Sequence, residues 1–273
     1  MNNNKKILIL AFDGLEYNLV KKWGLTNLMQ EYYGKYEAPI SPRYRKPHTP
    51  SAWASFITGK DVESHHVDDW WTWGRLLDWL RYKPPFKWIK GKKMLLKKLG
   101  IKPRPATINK QNTIFDVIKP SVALFIPTFS EPFEIRYELS NAFNRGLDAY
   151  IKKIWEVHKF REHEFLKCLD KDWKLCMCWF DLADLLGHIF IVKNPLKLLK
   201  GYLELNKIAK IARSRLNKTI ILIVSDHGME PQPDGTGDHT GYGFWSLNVK
   251  PPFKPGKITD FYGMILKMIE HKH

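Results

Sequence analysis

Residues 6–12 (KILILAF) form an unbroken apolar run that stops at Asp13-Gly14, and comparable runs recur at 122–127, 174–180 and 219–225. Runs of this length, apolar at successive rather than alternate positions, predict strands buried on both faces of a parallel sheet. Residues 145–169, 196–216 and 258–270 instead carry apolar positions at helical spacing, the first two with lysines and arginines on their polar positions. Strands alternating with helices predict an α/β fold with a mostly parallel sheet. The Pro- and Lys-rich residues 83–105 break this rhythm. They predict a small insertion at about residues 70–110 inside one domain spanning 1–273, with no internal repeat.

Composition narrows the class. The 273 residues are 44% hydrophobic and 26% charged, which excludes a disordered chain. No run of 18 apolar residues is present, which excludes a spanning helix. The N-terminal apolar run has strand length and no small-residue cleavage site, so no signal peptide is expected. Cys168, Cys176 and Cys178 are too few and too clustered for a disulfide framework, and predict a reducing, cytoplasmic context.

Charge adds a second theme. Lysine and arginine number 44 against 28 acidic residues, a formal charge of +16. The excess is uneven: Arg81, Lys83, Lys87, Lys90, Lys92, Lys93, Lys97, Lys98, Lys102 and Arg104 follow one another with no acid between them. Trp70, Trp71, Trp73 and Trp79 precede this stretch and Trp88 lies inside it. Interleaved basic and aromatic residues suit single-stranded nucleic acid or an anionic lipid interface. The plainer reading is an inserted subdomain whose tryptophans pack locally and whose lysines are solvated.

In open α/β sheets, ligands bind beyond the carboxyl ends of the strands. The apolar runs here end in chemistry: Asp13 after the first, Asp181, Asp184 and His188 after the third, Asp226 and His227 after the fourth, with glycine-flanked His239 soon after. An aspartate after a strand is more often a helix cap than a ligand. Spacing raises the interest, because Asp184 and His188, four apart, share one helical face. Mixed carboxylate and imidazole donors suit Zn²⁺, and also Mn²⁺ or Fe²⁺, better than Mg²⁺. Two such donor sets point to two metals. Thr49-Pro50 reads as an N-cap followed by proline at the first helical position, opening a helix through Trp53 and Phe56 that ends near Gly59. That N-terminus is a potential anion site, and Thr49 a potential nucleophile beside metals. Asp181 reads as a capping or supporting residue, His48 as a turn residue, and His158 and His163 as surface positions. Cys176 and Cys178 should face the core together, and His271 and His273 lie in a terminal tail.

The order of these motifs is itself informative. Asp13, Thr49 in T-P-S-A-W-A-S-F-I-T-G, D-x-x-x-H, D-H-G and a late G-D-H-T-G resemble the alkaline phosphatase superfamily, and most nearly its type I phosphodiesterase/nucleotide pyrophosphatase branch. The resemblance runs from residue 6 to about 245. It implies a three-layer sandwich, an alkaline phosphatase-like core. It implies one metal held by Asp13, Asp226, His227 and the Thr49 oxygen, and a second held by Asp184, His188 and His239. The implied reaction is a double displacement on a phosphate ester through Thr49, with phosphodiesters or nucleotide pyrophosphates as substrates and phosphomonoesters second. His65 matches the family's histidine after the nucleophile helix, with His66 where a glycine is usual. Two family donors to phosphoryl oxygen are missing, since the corresponding positions are Ala52 and Pro50; Ser51 and Arg45, in an Arg43/Arg45/Lys46 group, are the expected substitutes. A non-catalytic protein binding nucleic acid or anionic lipid through the basic insertion is the rival reading.

Overall fold

The computed structural model describes residues 5–80, 83–86, 96, 98–108 and 112–270. The expectations that rest on Arg81, Lys87, Trp88, Lys90, Lys92, Lys93, Lys97, His271 and His273 lie outside these residues.

The strands are β1 (Ile7–Phe12), β2 (Tyr32–Glu37), β3 (Trp71–Thr72), β4 (Arg104–Pro105), β5 (Ser121–Leu124), β6 (Leu175–Phe180), β7 (Ile220–Ser225), β8 (Met229–Pro231), β9 (Gly237–His239) and β10 (Tyr242–Leu247). The helices, numbered in chain order, are α1 (Tyr17–Lys22), α2 (Thr49–Thr58), α3 (Val62–His65), α4 (Arg75–Leu80), α5 (Ile114–Val117), α6 (Phe133–Asn144), α7 (Leu147–Cys168), α8 (Leu182–Phe190), α9 (Pro195–Arg215) and α10 (Asp260–Glu270). Among the described residues the main sheet has six strands in the order β2-β10-β7-β1-β6-β5. β7, β1, β6 and β5 run parallel, whereas β10 is antiparallel to both β7 and β2.

The three central strands explain the layering. Every residue of β1 and β6 is buried, as is nearly all of β7, so both faces of the sheet need cover. α6, α7, α8 and α9 pack on one another as one layer, and α2, α3, α5 and α10 form the other. The mostly parallel α/β sandwich expected from the sequence is therefore the fold. The antiparallel pair β2 and β10 and the helix α6 carry weaker periodic signals and were not anticipated. The apolar run 122–127 yields a strand only to Leu124, because Phe125 takes a left-handed conformation (φ 62°) that ends the ladder.

Antiparallel pairing of β3 with β4 brings the two ends of the Trp-rich, basic stretch together. Trp70 and Trp71 pack back onto the body, against Trp179 (6.4 Å) and Phe133 (4.6 Å) respectively, while Trp79 is exposed. Among the described residues, no helix is long and apolar enough to cross a membrane. All three cysteines are free and buried, with the Cys168 and Cys176 sulfurs 3.3 Å apart.

Two sequence expectations need correction. His48, not Thr49, occupies the N-cap of α2, so Thr49 is the first residue of the helix proper and Pro50 the second. The proline ring tolerates either of the first two positions, so Thr-Pro alone leaves the boundary one residue loose. His158 is buried while His163 is exposed. His158 lies on the face of α7 that carries Ile154, Val157 and Phe165, all buried, and meets the Phe180 ring of β6.

Histidines withdrawn from water, His158 buried and His65 half-buried, give the fold an acid limit. His65 is wedged between Ser55 Oγ (2.9 Å from Nε2) and the Val67 amide, which donates to Nδ1 (3.0 Å); burial, with the nearby His66, pushes its pKa down to about 4. Burial pushes His158 down to about 4 as well. The folded values lie below the unfolded value near 6.5, so the unfolded chain binds more protons between the two. The contribution of these two histidines is therefore complete above about pH 6.5 and falls as pH drops toward 4. Melting temperatures across that window should decline, and His65→Gln should flatten part of the decline.

Candidate metal and phosphate centre

The parallel register brings the chemistry to one edge. Phe12 pairs with Phe180 and Ala11 with Val224, so β1, β6 and β7 end at the same level. Asp13, the Asp181–Asp184 turn of α8, and Asp226-His227 consequently leave the sheet side by side. Asp13 N donates to the Phe180 carbonyl (2.9 Å) and thereby stays in line. Gly14 follows at φ 64°, and a Cβ there would stand 2.7 Å from Asp184 Cα. Only glycine lets the first strand turn this tightly under the start of α8.

The remaining donors arrive from other layers. Thr49, at the start of α2, places its hydroxyl 3.3 Å from Asp13 Oδ1. His239 sits on β9, which pairs with β8 as a short antiparallel ribbon. His227 Nε2 lies 3.3 Å from Asp13 and 3.4 Å from Asp226. Asp184 Oδ1 lies 3.3 Å from His188 Nε2 and 3.4 Å from His239 Nε2. The rings of His227 and His239 stack at 3.6 Å, joining the two trios into one cluster. Asp13, Asp226 and His227, and likewise Asp184, His188 and His239, have ligand atoms close enough to hold an ion.

What decides the character of this cluster is the other side of each ring. His188 Nδ1 lies 2.7 Å from the Gly237 carbonyl, His239 Nδ1 2.9 Å from the Pro47 carbonyl, and His227 Nδ1 3.0 Å from the Gly228 carbonyl. A carbonyl can only accept, so each Nδ1 carries the hydrogen and donates it. In the neutral rings all three Nε2 lone pairs then face the carboxylates. The Nε2 atoms of His188 and His239 are 3.1 Å apart, a repulsive contact unless a cation or proton lies between them. Asp184 Oδ1, Asp226 Oδ2 and His227 Nε2 are buried without a hydrogen-bond partner, a costly state for polar atoms.

The electrostatics run the same way. Asp13, Asp184 and Asp226 are 1%, 8% and 0% exposed. Burial, reinforced by Asp13 and Asp184, pushes the Asp226 carboxyl well above its ordinary range. Burial also opposes charge on Asp184, but His188 and His239 outweigh it and hold that carboxyl well below its ordinary range. His188 rises to about 9, chiefly through Asp184. His227 rises too, the Asp13 carboxylate overcoming the effect of burial. Three carboxylates in so little solvent demand positive charge.

The other sequence-derived candidates do not join the cluster. Ser51 donates its hydroxyl to the His48 carbonyl (2.8 Å) within the first turn of α2. Arg45 is exposed, in a left-handed conformation (φ 57°). Asp181 stands at the N-cap of α8 yet makes no capping bond. Arg136 (2.9 Å) and the fully buried Arg161 take its carboxylate instead, and both also bind Glu131. Of the two roles expected for Asp181, capping or supporting, the capping one is excluded, because two guanidiniums take the carboxylate in place of the helix amides.

Several supporting residues were missed. Glu16 accepts from the Asn18 and Met229 amides (2.9 and 3.1 Å) and from the Tyr242 hydroxyl (2.8 Å), tying the loop after β1 to the D-H-G segment. Lys46 pairs with Asp238 at 2.5 Å. Lys46, His188, Gln232, Asp234 and Gly237 line an open cleft of about 500 Å³ beside the cluster. A buried glutamate four residues after a strand leaves no periodic signal, and Lys46–Asp238 spans 192 positions.

A family model described as type I phosphodiesterase/nucleotide pyrophosphatase matches residues 7–242. Among solved structures, murine ectonucleotide pyrophosphatase/phosphodiesterase 5 superposes with a TM-score of 0.47 at 12% identity, covering 84% of this chain and 59% of that one. An inactive threonine-to-alanine form of the same murine protein, in complex with AMP, gives 0.48 at 14% identity with the same coverage. The present chain thus spans 59% of the length of these structures. No curated protein matches the sequence.

The close approach at Gly14 has a measurable cost when filled. Gly14→Ala should destabilise the protein by about 1–3 kcal/mol through strain and the clash with α8. Gly24→Ala is the control, since Gly24 also has positive φ (59°) but open space around it, and should cost less than Gly14→Ala, only the roughly 1–2 kcal/mol of left-handed backbone strain. Denaturant melts of the two variants separate contact from conformation.

Proposed function

The chain belongs to the type I phosphodiesterase/nucleotide pyrophosphatase family, and on that footing we propose that it hydrolyses phosphate esters with Thr49 as the nucleophile. One observation carries the reading: three histidines commit Nδ1 to backbone carbonyls and leave Nε2 toward three buried carboxylates and the threonine hydroxyl. The orphaned Asp184 Oδ1, Asp226 Oδ2 and His227 Nε2 fit two divalent cations. Asp13, Asp226 and His227 with Thr49 would hold one, and Asp184, His188 and His239 the other; the imidazole-rich donor mix favours Zn²⁺ and also suits Mn²⁺ or Fe²⁺. Bound there, the cations would lower the pKa of coordinated hydroxyl groups and neutralise charge on phosphoryl oxygens.

The chain's own residues supply the rest. Thr49 Oγ attacks phosphorus and the bond to the leaving group breaks, giving a covalent threonine ester; water then attacks the same phosphorus and restores Thr49. Two in-line displacements leave the configuration at phosphorus retained. Pro50 has no N–H, and the Ala52 amide is already given to the His48 carbonyl (3.0 Å). The Thr49 and Ser51 amides, with the positive end of α2, are then the backbone groups available to a phosphoryl anion. Burial pushes His48 down to about 4, so at neutral pH it adds no charge beside the nucleophile. The open cleft next to His188 gives a second ester substituent room, which favours diesters or nucleotide pyrophosphates over monoesters. Lys46 at its rim suits a leaving group that carries its own negative charge.

Hydrolysis of bis-p-nitrophenyl phosphate with Zn²⁺ or Mn²⁺ tests the nucleophile. Thr49→Ala should lower kcat by roughly 10³–10⁶-fold with the fold unchanged by circular dichroism; equal rates in variant and parent would dismiss the threonine. Chelation should remove activity together with bound metal, and titrating Zn²⁺ or Mn²⁺ back should restore both. Elemental analysis alongside the assay follows the two quantities in parallel.

A further inference from the structure

The layer formed by α7 and α9 buries a histidine for which the reaction has no use. His158 is 1% exposed, and neither of its ring nitrogens has a hydrogen-bond partner. Its ring is flanked by Trp155 (5.9 Å) and Phe180 (6.0 Å), and neither hydrogen-bonds to it. Leaving both a donor and an acceptor unpaired is unfavourable in such surroundings. One turn along α7 on the same face is Glu162, and α9 brings Glu204 across to meet it. One ligand atom from each of the three residues lies within 4.8 Å of the others.

At present the carboxylates are held by lysines. Lys159 reaches Glu162 (2.8 Å) and Glu204 (3.1 Å), and Lys207 reaches the same pair at 3.4 and 3.7 Å. Both lysine side chains are about half exposed, at 52% and 55%, so they can swing into water and leave the carboxylates to another cation; ion pairs of this kind are weak. Nothing comparable is available to His158, whose lone pair can be satisfied only by something entering the cluster. Burial keeps its ring neutral, which is the form that ligates.

We propose that His158, Glu162 and Glu204 form a further cation site that takes one transition-metal dication, such as Zn²⁺, and fastens α7 to α9. An imidazole and a carboxylate four apart on a helix make a chelating pair, and a carboxylate from a second helix completes three protein donors. The imidazole selects against Mg²⁺ and Ca²⁺, which prefer oxygen throughout. The site shares no residue with the seven of the phosphate centre. Its role is structural: α8, which carries Asp184 and His188, packs against both α7 and α9, so fixing that helix pair steadies the helix between.

The test uses the full chain, stripped with chelator and titrated with Zn²⁺ by calorimetry, with elemental analysis of the reloaded protein. Glu204→Gln should bind one equivalent fewer than the parent while hydrolysing bis-p-nitrophenyl phosphate within about twofold of the parental rate. That one-equivalent difference reports on this site whatever total the phosphate centre holds, so its failure and failure of the two-metal reading are distinct. Lys159→Met, which removes the competing ammonium, should bind the extra Zn²⁺ roughly tenfold more tightly. Equal stoichiometry in parent and Glu204→Gln, or unchanged affinity in Lys159→Met, would overturn the proposal and leave the cluster as a lysine-neutralised ion-pair network.

Discussion

Three carboxylates drawn out of water within a few ångströms of one another cannot persist without compensating positive charge, and this constraint organises the molecule. Asp13, Asp184 and Asp226 lie at the ends of β1, β6 and β7 or one turn beyond, where parallel pairing leaves them no choice but to converge. Around them the fold sets imidazoles that, when neutral, have their protons pinned on the far side by the carbonyls of Gly237, Pro47 and Gly228, leaving the charge to be supplied by a proton or a cation. Each ring is thereby held in the tautomer that turns a lone pair inward. The backbone thus fixes where the ring protons are not, which is what the proposed cation binding requires.

That arrangement makes the loops as consequential as the strands. His239 reaches the cluster only because β8 and β9 form a ribbon that presses against α8, and its position depends on a carbonyl from the segment that delivers Thr49. Pro47 thus couples two candidate site residues: the residue that orients His239 stands two before Thr49. Glu16 ties the loop after β1 to Met229, at the base of the same ribbon. Arg136 and Arg161 gather Asp181 and Glu131 into a buried network under the aromatic faces of Trp70 and Trp179. Asp181 is withdrawn from the cluster by this network, which is why a fourth carboxylate so close in sequence does not add to the negative charge there.

Only a short ribbon separates His227 from His239, so the side of the cluster that faces Lys46 and Gln232 remains an open cleft.

Local spacing carried a large part of this structure. Uninterrupted apolar runs specify strands buried on both faces, and polar residues at their ends mark where chemistry emerges. The four-residue interval of Asp184 and His188 fixes a shared face, because helical geometry is a property of the chain over one turn. Long-range packing decided the rest. Strand order and the antiparallel edge of β2 and β10 depend on which surfaces meet across the whole chain. So does the burial of His158, whose exposure is set by β6 and α9 rather than by its neighbours in sequence. The tautomers of His188 and His239 rest on carbonyls 49 and 192 positions away, and Asp181 is captured by arginines 45 and 20 positions away. Only the His227 ring is oriented by its own neighbour, Gly228, and no local pattern encodes a contact made only when separate layers close on one another.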